Sequence, residues 1–143
     1  MYQIIKESHN GIGMVLLFLL LTATVFILFN FLLKKPFSKS VKVAALIGLI
    51  TVHTQILVGF ILYFLSPLGF SNFSGEAMGN TVSRFFLVEH PIGMIIAAVL
   101  ITMGYKVAKK GNFSDLAKYK RVLIYYLLGF AIIAYLTPWF LWS

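Results

Sequence analysis

Residues 12–33 read IGMVLLFLLLTATVFILFNFLL, twenty-two positions without a charged side chain, closed by Lys34-Lys35. At ~1.5 Å of rise per residue a helix of that length covers the ~30 Å of a bilayer's hydrocarbon core. Three further apolar runs follow: about 41–65 ending at Ser66-Pro67, about 85–105 ending at Lys106, and about 122–141. None shows the period-two alternation of a barrel strand. The expected fold is therefore an all-α integral membrane protein, a four-transmembrane-helix bundle filling residues 1–143 as a single domain. The first run is expected to stay in the protein. It is too long for a signal-peptide core, no small-x-small site follows it, and it stops at a lysine pair.

Composition agrees. The chain is 60% hydrophobic and 11% charged, with a mean hydropathy of +0.94. A soluble globule this small could not hide that much apolar surface. Cysteine is absent, which excludes disulfides and thiolate metal sites. A net charge of +8 would suggest nucleic acid in a soluble protein, but here the basic residues sit at span ends. They read as topology signals beside anionic lipid, with the bilayer as partner and no nucleic acid.

Ten cations fall in the two loops of one side: Lys34, Lys35, Lys39, Lys42, Lys106, Lys109, Lys110, Lys118, Lys120 and Arg121. The other side holds Lys6 and Arg84. The basic side is therefore expected to be cytoplasmic, with both termini periplasmic in a bacterial inner membrane. The tail Trp139, Phe140 and Trp142 suits the opposite interface, and Glu7, Glu76 and Glu89 lie near it.

The chain resembles itself. His9-Asn10-Gly11-Ile12-Gly13-Met14 opens the first span and His90-Pro91-Ile92-Gly93-Met94 the third. Lys34-Lys35-Pro36-Phe37-Ser38 and Lys109-Lys110-Gly111-Asn112-Phe113-Ser114 follow them. The second span ends in Gly59-Phe60 to Ser66-Pro67, the fourth in Gly129-Phe130 to Thr137-Pro138. With small gaps these matches describe a tandem two-helix repeat of parallel orientation, related by an axis along the membrane normal.

All three histidines, His9, His53 and His90, lie in or at the edge of a span. Ionisable groups there are costly and tend to face the bundle interior. Under the repeat His9 and His90 are equivalent, which suits two imidazoles approaching a flat metal macrocycle from opposite faces. With Lys6, Arg84 and Ser66 at the outer boundary, His9 lies ~5 Å inward, His90 ~9 Å and His53 ~20 Å. Axial ligands of one haem need similar heights, so His9 with His90 is the preferred pair and His53 the alternative ligand. Gly13, Gly93 and Ala97 would leave room for a porphyrin beside the ligands, or else let helices pack closely. A copper or zinc ion held by all three histidines is the other metal reading. Arg84 and Lys6 could meet haem propionates, or serve as interfacial anchors. Glu7 and Glu89, next to the histidines in sequence, are candidates to orient a ring nitrogen. Gln55, Gly59 and Tyr63 share one face of the second span, read as helix-packing contacts, with quinone contact as the alternative.

Three stretches, Glu7-Ser8-His9, Gln55-Ile56-Leu57-Val58-Gly59 and Glu89-His90-Pro91-Ile92-Gly93, resemble one four-helix half of haem A synthase. The whole chain is more similar to small bacterial four-span proteins labelled cytochrome b. Its His9-Asn10-Gly11, His53-Thr54-Gln55 and Arg84-Phe85-Phe86-Leu87-Val88-Glu89-His90 match that family's motifs over nearly the full length. The resemblance implies haem b binding without assigning a reaction. Four spans instead of eight, Asn10 in place of arginine and the additional His53 separate the chain from haem A synthase, so haem methyl oxidation is not carried over. The expected function is a b-type cytochrome relaying electrons, with haem near the periplasmic face and a membrane redox or respiratory-complex partner. The alternatives are a haem-free accessory subunit of such a complex and a small transporter.

Overall fold

The computed structural model describes residues 1–110 and 112–141; Gly111 and Trp142, named above in the repeat and the aromatic tail, lie outside the described residues. Four long helices are apolar enough to cross a membrane: α1 (Tyr2–Leu32), α2 (Lys39–Leu65), α3 (Thr81–Lys110) and α4 (Asp115–Leu136). No strand occurs among the described residues. The α1–α2 and α3–α4 hairpins make the largest contacts, and α2–α3 and α1–α4 close the ring. This leaves α1 diagonal to α3 across the bundle.

Helix ends follow local chemistry. At the end of α1, Lys35 N donates to Asn30 O and Lys34 N to Phe31 O, a Schellman closure with Lys34 at φ 55°. Asn80 caps α3 through Ser83 N at 2.9 Å, and Ser114 caps α4 through Ala117 N at 3.3 Å. The fourth helix stops at Leu136, short of the expected 141, because Pro138 pushes Thr137 into extended backbone (φ −69°, ψ 130°). In the other direction α1 begins ten residues before its expected start, since its polar first turns are helical too. Its 31 residues exceed the bilayer's hydrocarbon thickness, so α1 must tilt or protrude.

Burial divides the bundle in two. The largest fully buried side chains, Leu20, Ile27, Val41, Ile101, Val122 and Tyr126, all lie toward the basic ends. No residue of α1 before Leu20 is buried, and none of α2 after Val52. Between helices in lipid the attraction is close packing, with no difference in apolarity to drive it. The small residues provide that closeness. A Cβ on Gly104 would stand 2.8 Å from Tyr126 ring carbons, and one on Gly129 would stand 2.9 Å from Ile101. The Tyr126 hydroxyl donates across the bundle to Ala45 O. Buried Thr24, Asn30 and Thr51 return their polar atoms to carbonyls of their own helices.

The first basic loop docks on the start of α4. Phe37 N donates to the Asp115 carboxylate at 3.0 Å, the Tyr119 hydroxyl donates to Pro36 O at 3.0 Å, and the rings of Phe31 and Phe37 pack on Tyr119. The basic end is closed, whereas the opposite end opens around a cavity. Buried positions also recur at one spacing. Leu20 and Ile101, Ala23 and Gly104, Ile27 and Ala108, Val41 and Val122, Ala45 and Tyr126, and Gly48 and Gly129 are each 81 residues apart, and all are buried.

Candidate functional site

The cavity at the open end measures about 300 Å3, at the lower edge of cofactor-sized sites. Its wall is mainly apolar, and His9 from α1 and His90 from α3 both border it. Their ring centroids are 6.2 Å apart and their planes lie at 82°. This distance can be tested against metal ligation. Ring bonds of ~1.33 Å put imidazole nitrogens ~1.1 Å from the ring centre, and a metal–imidazole bond is ~2.0 Å. Two rings ligating one ion between them therefore hold their centroids ~6.2 Å apart. The separation equals that of two imidazoles on one ion, and it is equally that of an edge-to-face ring contact, which the 82° angle describes.

Each histidine is held by a different neighbour. His90 Nδ1 lies 2.8 Å from Leu136 O, one of the last carbonyls of α4, which the helix itself cannot satisfy. A carbonyl only accepts, so Nδ1 carries the proton and Nε2 keeps its lone pair, the form that ligates a metal. On the other side Gln55 Nε2 donates to His9 O at 2.7 Å and lies 3.1 Å from His9 Nδ1. Gly59 makes room for that ring, because a Cβ there would stand 3.0 Å from His9 Cε1. Gly13 makes room for the Gln55 amide in the same way. Gln55 Oε1 is buried with no hydrogen-bond partner among the described residues.

The backbone before His90 is unusual. Residues Phe85–Glu89 form a π turn, in which His90 N–H reaches back five residues to Phe85 O. Pro91 has no N–H to return to Leu87 O. The Tyr63 hydroxyl of α2 supplies the missing donor at 3.0 Å. The turn also places residues five apart over one another, and Arg84 Nε pairs with Glu89 Oε1 at 2.9 Å. Phe85 packs on His90 at 5.7 Å between centroids.

Of the small residues assigned to porphyrin clearance, only Gly13 borders the cavity. Leu136 and Ile132 of α4 occupy the side of Gly93 that a Cβ would take. Ala97 is fully buried, and its carbonyl oxygen would stand 3.3 Å from a Cβ on Gly129. These two seat α4 against α3, the close-packing alternative. Arg84 does not border the cavity and is engaged with Glu89; Lys6 does border it. Glu7 accepts from Gln3 and Glu89 from Arg84, so neither carboxylate orients a histidine. His53 stands apart in a shallow groove between α2 and α3, its Nδ1 2.9 Å from Leu49 O and its Nε2 3.4 Å from the Thr102 hydroxyl. The structure does not bring His53 to the other two.

Sequence reasoning missed the Leu136 carbonyl and the ring of Phe85. The first had a visible signal, since Thr137-Pro138 ends a helix and strands the carbonyls before it. Comparison with protein-family models, with curated proteins and with solved structures gave no match, so the site rests on its own geometry.

Proposed function

We propose that the chain is a b-type membrane cytochrome that holds haem b between His9 and His90 and relays electrons. The observation that carries this reading is the 6.2 Å separation of two imidazoles contributed by diagonal helices, both bordering an apolar cavity. Bound there, haem would supply reversible one-electron chemistry at its iron. The chain's own residues do the rest. The Leu136 carbonyl fixes the His90 tautomer, Gln55 and Gly59 restrain the His9 ring, and the mainly apolar wall lowers the polarity around the centre.

The same reading places the cavity at the periplasmic face of a bacterial inner membrane, with both termini on that side and the ten loop cations in the cytoplasm. The partner would be a membrane redox or respiratory-complex component, with a quinol as one candidate donor. We also read the bundle as a duplicated hairpin. The constant spacing of 81 supports this and relates His9 to His90 and Gly48, not Gly59, to Gly129. Gln55 stands to His9 as Leu136 stands to His90, 46 residues on in both cases.

A second reading, a haem-free accessory subunit, is favoured by one observation: each histidine already contacts a neighbouring helix. Reduced-minus-oxidised visible spectra of the purified protein and of His9→Ala, His90→Ala and His53→Ala separate the two. Haem ligation requires a low-spin b-type spectrum that the first two variants lose and the third keeps. No spectrum after expression with ample haem leaves the accessory subunit.

A further inference from the structure

The cavity carries one feature that the histidines do not explain. Tyr2, Lys6, His9, Asn10 and Gly13 share a face of α1 and all border it. Lys6, half-buried, lies one turn outside His9. No aspartate or glutamate borders the cavity, and no ion pair is formed by Lys6 among the described residues. An uncompensated ammonium at the rim of an apolar chamber favours a ligand with an apolar body and an anionic edge. Arg84, the other cation of this face, is already neutralised by Glu89.

We infer that Lys6, and not Arg84, binds a carboxylate of the cavity's ligand. On the haem reading, on which this inference rests, that group is a haem propionate. A strand or loop cation could swing away from such a ligand. Lys6 projects instead from the same helical face as the ligating His9, so the iron and the propionate are read by one rigid element. Its ammonium would make a charge-assisted hydrogen bond, stronger than a neutral one but weakened by its partial exposure.

The test titrates the apo-protein in mild detergent with haem and with haem dimethyl ester, which keeps the macrocycle and loses both carboxylates. The wild type should bind haem about tenfold more tightly than the ester. Lys6→Gln should bind both alike, at the wild type's affinity for the ester, and Lys6→Arg should restore most of the difference. Arg84→Gln should keep the wild-type ratio. A Lys6→Gln variant that still prefers haem tenfold overturns the inference while leaving the haem reading intact. A wild type that gives a ligation spectrum with neither compound overturns both. Ester affinity measured within each variant shows that the histidine site is still folded.

Discussion

Replacing Tyr63 by Phe removes one oxygen atom, and the structure states what that oxygen does. It donates at 3.0 Å to the carbonyl of Leu87, a residue only 3% exposed, whose usual helical donor is missing because Pro91 has no N–H. Interhelical hydrogen bonds in membranes average ~0.6 kcal/mol, since the unfolded chain in the membrane finds partners too. Here the donor four residues on is Pro91, which has no N–H, so the penalty for a buried acceptor left unmade applies, ~1–3 kcal/mol. We expect Tyr63→Phe to cost about 1.5 kcal/mol, close to the upper end seen between membrane helices. Pro91→Ala returns an N–H to the helix, and in that background the same substitution should cost about 0.5 kcal/mol. The coupling of ~1 kcal/mol is measurable as a double-mutant cycle by reversible unfolding in mixed micelles of mild detergent and dodecyl sulfate. Equal costs in the two backgrounds would refute the argument that Tyr63 replaces the donor lost at Pro91.

Three other outcomes are expected. Gly59→Val should abolish the haem difference spectrum by pushing the His9 ring aside, while Gly11→Val, with nothing within 4 Å of its Cβ position, should keep it; equal spectra would contradict the contact. Gly104→Ala places a methyl group 2.8 Å from Tyr126 and 2.9 Å from the Tyr125 Cβ, and should destabilise the bundle by roughly 1–2 kcal/mol after its helix-propensity gain. Gly75→Ala, which meets nothing, should be close to neutral in the same unfolding assay. Because the chain has no cysteine, single-cysteine variants report topology without background. An impermeant maleimide on intact cells should label Glu76→Cys and miss Lys109→Cys, and the opposite pattern would invert the orientation.

How far the site could be read from sequence differs from residue to residue. His9 and His90 were recognisable as a pair because each heads a similar motif at the opening of a span. The arm of Gln55, Gly59 and Tyr63 was recognisable as a packing face, but its targets were not: a helical face specifies a direction, not what waits there. Gly93 and Ala97 looked like clearance beside His90, because spacing along α3 cannot tell a cavity from a neighbouring helix; Leu136 and the Gly129 contact decide that. Arg84 looked available to a ligand because, in an α-helix, residues five apart do not face each other. The π turn brings Glu89 beneath it.

What the sequence determined by itself is the set of four spans and the gathering of cations into two loops. Both follow from the cost of leaving backbone or charge in hydrocarbon, a cost paid residue by residue and therefore written locally. Which helices are diagonal, and which faces meet, is decided only by tertiary packing. Lipid is as apolar as leucine, so no hydrophobic pattern along α1 or α3 says how either helix is rotated. The rotation comes from close contacts at Gly48, Gly104 and Gly129 and from the Tyr126 ring lodged between helices, and these bring His9 within 6.2 Å of His90.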